Sequence, residues 1–161
     1  MNKIRLEHLL KEHHKDAFMW ASQCCSYNRE DGKEVLQITY LKILERKATY
    51  GGQARFKTWL FSVIRFTAID YLKKKGLLFE ELGKLKMVEE EQQVEPDPIN
   101  YRELLSRLPE RQHQVLLLAF YHGMTLTMIA DLMELHIGTV RTHYERGKDA
   151  LKDIILKERH E

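Results

Sequence analysis

Apolar residues recur along most of the chain at steps of three and four, the spacing that places side chains on one face of an α-helix. No alternation of apolar and polar residues is long enough to require a strand. The pattern predicts helices over about residues 3–26, with a break near the middle, over 30–47 and 53–75, and through most of 101–161. We therefore expect an all-α protein.

Charge is distributed unevenly along the 161 residues, although the net charge is only +2. Residues 1–75 carry 15 Lys and Arg against 8 Asp and Glu, residues 76–100 carry 2 against 7, and residues 101–161 carry 9 of each. The acidic stretch ends in Pro96-Asp97-Pro98, which is unsuited to regular structure. The sequence predicts two small helical domains, 1–75 and 101–161, joined by an acidic linker, 76–100.

The C-terminal domain has the pattern of a helix-turn-helix. A short helix capped by Thr125 or Thr127 contains the small Ala130. A longer helix begins around Ile137 or Gly138, and its inner face carries Val140, ten residues after Ala130. Glu134 stands at the turn, where a left-handed residue other than glycine costs about 1–2 kcal/mol. The outer face of the second helix offers residues suited to the DNA major groove, namely Thr139, Arg141, Thr142, Glu145 and Arg146.

The third helix, 53–75, has two contrasting faces. Its apolar stripe predicts core residues at Phe56, Trp59, Leu60, Val63, Ile64, Thr67, Ala68, Tyr71 and Leu72. Its opposite face is basic and aromatic, with Lys57, Thr58, Phe61, Ser62, Arg65, Phe66, Ile69, Lys73, Lys74 and Lys75. Cations follow phosphates and rings stack on unpaired bases, so this face suits single-stranded nucleic acid. The alternative is that Phe61 or Phe66 packs on a neighbouring helix and the lysines form a solvated helix end.

The sequence shows no pattern typical of a disulfide, a metal site, an enzyme active site or a membrane span. Cys24 and Cys25 are adjacent, which disfavours a mutual disulfide, and the eight histidines lack the spacing of a metal site. We expect no metal, no cofactor and no enzymatic activity. No apolar run approaches the ~18–20 residues of a membrane span and no signal peptide opens the chain, so we expect a cytoplasmic protein without membrane insertion.

Three segments resemble extracytoplasmic-function (ECF) sigma factors of the sigma-70 class. Their promoter-melting helix is similar to FKTWLFSVIRFTAIDYLKKK, residues 56–75. Their preceding helix, which docks on the polymerase clamp, is similar to EVLQITYLKILER, residues 34–46. Their promoter-reading domain is similar to LPERQHQVLLLAFYHGMTLTMIADLMELHIGTVRTHYERGKDAL, residues 108–151. The family often has asparagine where Phe66 stands, and a more acidic start to the preceding helix.

The resemblance implies a sigma factor with a region 2-like domain at 1–75 and a region 4-like domain at 101–161. It implies core polymerase contacts at Asp31, Glu34, Gln37, Tyr40 and Leu41. It implies contacts with the −10 element at Tyr50, Lys57, Phe61, Arg65, Phe66, Lys73 and Lys74, and with the −35 element at Thr139, Arg141, Thr142, Glu145 and Arg146. The implied partners are the β′ clamp and β flap of bacterial RNA polymerase, promoter DNA and, as a further candidate, an anti-sigma factor.

Two other functions fit parts of the sequence. One is a helix-turn-helix regulator that works without bound polymerase, which leaves the basic and aromatic face of 53–75 unexplained. The other is a sigma mimic that titrates an anti-sigma factor, for which loss of the DNA-facing cations would be typical. Those cations are present at Lys57, Arg65, Arg141 and Arg146.

Overall fold

The computed structural model describes residues 2–81 and 101–159, and every regular element in these two ranges is a helix. The helices form two separate units. The N-terminal unit contains α1 (Lys3–Glu12), α2 (His14–Cys24), α3 (Arg29–Leu44) and α4 (Phe56–Glu81). The C-terminal unit contains α5 (Tyr101–Ser106), α6 (Glu110–Leu116), a π-helical turn (Leu117–Tyr121), α7 (Leu126–Met133) and α8 (Ile137–Arg159). The prediction of an all-α protein with two helical domains is confirmed.

The predicted acidic linker is described only in part. Residues 76–81 continue α4, and the rest of 76–100 lies outside the described residues. The predicted domain limits at 75 and 101 stay predictions.

The helix ends of the N-terminal unit follow from local polar chemistry. The predicted break in the first helix falls at His13, whose backbone (φ −96, ψ 4) separates α1 from α2. The side chain of Asn28 caps α3 by accepting a hydrogen bond of 3.0 Å from the backbone N–H of Asp31. Beyond Leu44 the chain turns away at Arg46, which has a left-handed backbone with φ 60.

The core of the N-terminal unit forms where α2 packs against both α3 and α4. Trp20 of α2 is fully buried, and its indole lies parallel to the ring of Phe61 with centroids 5.6 Å apart. Helices α2 and α3 approach closely at Gly32, since a Cβ atom there would lie 2.4 Å from Oγ of Ser22 and 2.9 Å from its Cα. A side chain at position 32 would therefore force the two helices apart.

Helix α8 is the centre of the C-terminal unit, because α5, α6 and α7 all pack against it. Gly147 lets α6 approach, since a Cβ atom there would lie 3.1 Å from Cδ1 of Leu116. The side chains with essentially no exposure are Val115, Leu116, Leu118, Ile129, Leu132 and Val140. This packing holds one face of α8 and leaves the other face of its first turns in solvent.

Candidate nucleic-acid interface

Helices α7 and α8 form the predicted helix-turn-helix. Of the two candidate caps, Thr125 caps α7, and its hydroxyl accepts a hydrogen bond of 3.2 Å from the backbone N–H of Met128. Glu134 ends the helix in the left-handed conformation (φ 54, ψ 43), and the N–H of Leu135 donates to the carbonyl of Ala130 at 3.0 Å. The turn thus keeps the geometry that glycine usually provides, at a cost of about 1–2 kcal/mol.

The five predicted −35 residues are all exposed along the first turns of α8. The hydroxyl of Thr142 donates to the carbonyl of Gly138 at 3.0 Å, and Glu145 lies 3.6 Å from the ammonium group of Lys148. Within residues 2–81 and 101–159, the side chains of Arg141 and Arg146 make no ion pair or hydrogen bond. Both guanidinium groups are therefore available to an outside partner.

The predicted outer face of α4 is wrong at two positions. Phe61 is fully buried and Thr58 is 4% exposed, so neither can contact DNA in this conformation. Both α2 and α3 pack on α4, so a larger part of the α4 surface is buried than the apolar stripe in the sequence predicts. The indole N–H of Trp20 donates to the carbonyl of Phe61 at 3.0 Å and fixes this contact.

The remaining outer face of α4 is basic and keeps one of the two predicted aromatic rings, that of Phe66. Phe66 is 44% exposed, and the guanidinium carbon of Arg65 lies 5.7 Å from the centre of its ring. Ile69 and Lys73 continue this face and are also exposed. Lys74 is exposed and pairs with Asp70 at 3.1 Å. At the other end of the helix, half-buried Lys57 lies 3.3 Å from a carboxylate oxygen of Asp16.

The loop before α4 is anchored by Tyr50. Its ring packs 5.4 Å from both Phe56 and Trp59, and its hydroxyl donates to the carbonyl of Ala54. Gly52 takes a left-handed backbone with φ 77, which a residue with a side chain rarely adopts. Tyr50 is therefore half-buried, and its ring supports the loop.

Asp31, a predicted polymerase contact, faces inward. Its carboxylate is 11% exposed and accepts hydrogen bonds from the ammonium group of Lys75 at 2.7 and 3.0 Å and from the hydroxyl of Tyr71 at 2.9 Å. The first turn of α3 points this residue at α4. The prediction that Asp31 binds a partner is thus wrong for this conformation, because its acceptor sites are used within the unit. Burial first, and then this hydrogen bond, raise the pKa of Tyr71 to about 12.

The other predicted polymerase contacts lie on the accessible side of α3. Glu34 and Gln37 are exposed, and Leu41 is 56% exposed. Tyr40 is half-buried beside a groove of 410 Å³ between α2 and α3. Its hydroxyl lies 2.9 Å from Nδ1 of His14, and burial raises the pKa of Tyr40 to about 12. These four residues form one continuous candidate docking surface.

The cysteine, histidine and carboxylate side chains of the two described ranges form no metal site and no disulfide. In the two described ranges no group of His, Cys, Asp and Glu has the arrangement of a metal site. Neither Cys24 nor Cys25 forms a disulfide, and burial raises the pKa of the Cys25 thiol to about 12. Among the described helices none is both long and apolar enough to cross a membrane.

Sequence reasoning missed one polar residue beside the exposed face of α8. His136 precedes α8, and its ring nitrogen Nδ1 accepts a hydrogen bond of 3.1 Å from the backbone N–H of Gly138. The signal was its position immediately before the second helix of the predicted helix-turn-helix, where a capping residue is expected.

Comparison with known proteins matches both units. Residues 9–77 match the family model for Sigma-70 region 2, and residues 99–151 match the model for Sigma-70, region 4. The chain is 26% identical to the ECF RNA polymerase sigma factor SigX of Bacillus subtilis, across 89% of this chain and 80% of that protein. It is 23% identical to the RNA polymerase sigma factor SigV of the same organism, across 90% of this chain and 88% of that protein.

Solved structures show the same fold. The structure of the sigma factor RpoE in complex with the anti-sigma factor NepR from Bartonella quintana matches with a TM-score of 0.75 and 17% identity, covering 94% of this chain and 96% of that chain. The structure of CnrH in complex with the cytosolic domain of CnrY matches with a TM-score of 0.66 and 17% identity, covering 96% and 89%. This chain belongs to the sigma-70 family of RNA polymerase sigma factors and is of the ECF type. It is accordingly a transcription initiation factor and not an enzyme.

Proposed function

We propose that this chain directs core RNA polymerase to promoters by reading the −35 element with α8 and opening the −10 element with α4. The observation that carries the proposal is the exposed start of α8, where Arg141 and Arg146 make no ion pair within the described residues. Guanidinium groups fit the paired acceptors of guanine and the phosphates beside it. Thr139, Thr142 and Glu145 complete this surface.

The proposed −10 surface is the outer face of α4. An exposed ring at Phe66 beside the cation of Arg65 suits an unpaired base and its phosphate, and Lys73 and Lys74 extend the positive charge. Lys57 begins this face, and Tyr50 supports the loop before it. Phe61 no longer belongs to the proposed surface, because its ring is buried.

The proposed polymerase contact is the docking surface of Glu34, Gln37, Tyr40 and Leu41, which would bind the β′ clamp. The C-terminal unit would bind the β flap. Exposed Leu41 favours such a contact, because burying an aliphatic side chain in a protein interface is favourable. We further propose that the protein acts in the cytoplasm, where bacterial RNA polymerase works, and that an anti-sigma factor is a further partner.

Run-off transcription tests the proposal directly. Purified core polymerase with the full chain should produce discrete transcripts from genomic fragments of the source organism, and core polymerase alone should not. Arg141→Ala should reduce these transcripts and relax selectivity at the −35 element by about 1–3 kcal/mol at the contacted base pair. Lys152→Ala is the matched control, because Lys152 is an exposed cation farther along α8. DNA binding should weaken steeply as salt rises.

Polymerase-binding, footprinting and anti-sigma-binding assays on the same protein separate the other two functions. Failure to bind core polymerase, together with a tight footprint on duplex DNA, would favour a polymerase-independent regulator. Binding to an anti-sigma factor without any initiation would favour a sigma mimic. The family matches to both region 2 and region 4 favour neither of these alternatives.

A further inference from the structure

Lys57, the first cation of the proposed −10 surface, is held by contacts within the N-terminal unit. Its ammonium group lies 3.3 Å from Oδ2 of Asp16 and 5.5 Å from the centre of the Phe61 ring. That ring is buried against Trp20, so the lysine lies over the edge of the core. Only 28% of the Lys57 side chain is exposed. Its ammonium group is therefore held near the start of α4 and beside a carboxylate.

Asp16 reaches Lys57 from a different helix. It lies in the first turn of α2, 41 positions before Lys57, and is the one acidic residue of that helix. Lys74, by contrast, pairs with Asp70 one turn earlier on α4, a spacing that stabilises a helix locally. The Asp16 pair supports no helix in this way. Its carboxylate is 52% exposed, and ion pairs open to solvent contribute little to stability, so the pair can open at low cost.

The Asp16 carboxylate occupies the place that a phosphate of bound nucleic acid would take beside Lys57. Carboxylates and phosphates are both anionic oxygen acceptors, and an ammonium group binds either of them as a point charge. While the pair is closed, the charges of the two side chains cancel. A phosphate that approaches Lys57 also meets the negative charge of Asp16, so it must displace the carboxylate in order to bind.

We propose that Asp16 is an autoinhibitory counterion that competes with nucleic-acid phosphates for Lys57 in the free protein. This inference rests on the proposed function, because it requires Lys57 to contact the −10 strand. The free chain accordingly binds single-stranded nucleic acid weakly, and the additional contacts of the promoter complex displace the carboxylate. The competition acts on nucleic acid of any sequence, because neither the carboxylate nor a phosphate contact reads a base.

Asp16→Asn tests the proposal, because asparagine keeps the shape of the side chain and removes the competing charge. The probe is a fluorescein-labelled oligothymidylate, titrated with the full chain in the absence of polymerase. Freeing Lys57 for one phosphate should raise the affinity by up to about eightfold at ~50 mM salt and about threefold at ~200 mM, because additional counterions are released. The plot of log affinity against log salt should become steeper by about 0.7.

Three further variants separate this effect from a change in net charge. Glu12→Gln removes the same charge from an exposed carboxylate that forms no ion pair within residues 2–81 and 101–159, and it should leave the affinity close to that of the wild type. Asp16→Glu keeps a carboxylate beside Lys57 and should also bind like the wild type. In a protein that carries Lys57→Gln, the change Asp16→Asn should no longer raise the affinity.

Three results would overturn the proposal: equal gains in Asp16→Asn and Glu12→Gln, a gain that persists in the Lys57→Gln protein, or no gain in Asp16→Asn. Urea unfolding should give Asp16→Asn the wild-type midpoint, because an exposed ion pair contributes little to stability. If the midpoint falls, then Asp16→Gln, which has a higher helix propensity, is measured in its place.

Run-off transcription distinguishes failure of this inference from failure of the proposed function. Normal initiation by the wild-type protein, together with no gain in oligothymidylate affinity in Asp16→Asn, would reject only the counterion. Absence of initiation by the wild-type protein with core polymerase would reject the proposed function itself.

Discussion

Phe61 and Phe66 lie close together on α4, yet alanine at each position should damage a different property of the protein. Phe61 is fully buried and stacks on Trp20 with ring centroids 5.6 Å apart, whereas Phe66 is 44% exposed. Removing a buried phenylalanine ring costs about 3–5 kcal/mol, because the cavity only partly closes. Domains of this kind have about 5–15 kcal/mol of stability in total, so Phe61→Ala should bring the N-terminal unit close to unfolding. Phe66→Ala should cost well under 1 kcal/mol.

Urea unfolding followed by tryptophan fluorescence measures this difference. Both tryptophans of the chain, Trp20 and Trp59, lie in the N-terminal unit, so the signal reports that unit alone. Phe66→Ala should keep the wild-type midpoint and reduce permanganate reactivity of the −10 thymines in open complexes. A wild-type midpoint in Phe61→Ala would refute the burial argument, and normal strand opening by Phe66→Ala would remove that ring from the proposed −10 surface.

Three further outcomes follow from packing and burial. Gly32→Ala should destabilise the N-terminal unit by about 1–3 kcal/mol in urea unfolding, because the new methyl group meets the backbone of Ser22. Burial lowers the pKa of His113 below its usual 6.5, so the unfolded chain binds the proton more tightly than the folded chain does. The stability of the C-terminal unit should therefore fall as the pH drops below 6.5, and hydrogen exchange of the α6 amides measures this fall. Cys25, buried and with its pKa raised to about 12, should react with a thiol reagent at pH 8 only on unfolding.

Each outcome has a matched control. Gly76→Ala places a methyl group on α4 where no atom lies within 4 Å, so helix propensity should raise stability by up to about 1 kcal/mol. His113→Gln should flatten the pH dependence, whereas the same change at exposed His8 should not. A Cys24→Ser protein isolates the Cys25 signal. Equal stability changes in Gly32→Ala and Gly76→Ala would contradict the close approach of α2 and α3. An unchanged pH profile in His113→Gln would contradict the burial of that imidazole, and rapid labelling of Cys25 in the native protein would contradict the burial of its thiol.

The sequence determined the helices, the class of protein and most of the exposed residues of the proposed DNA-binding surfaces. Steps of three and four predicted α4 and α8, and the charge pattern predicted two units with basic residues on the first. The helix-turn-helix could be predicted from Ala130, Val140 and the exposed arginines after them, because these residues lie close together in the sequence. The position of a residue along a helix determines which face of the helix it occupies.

Only the tertiary structure decided what covers each face. Phe61 is buried because Trp20, 41 positions earlier, stacks on it, and Asp31 is turned inward because Lys75, 44 positions later, pairs with it. Periodicity along one helix cannot show that a second helix also packs on its flank. Burial depends on which distant segments come together, and this is a property of the folded chain, so the inward positions of Phe61 and Asp31 could not be predicted from spacing.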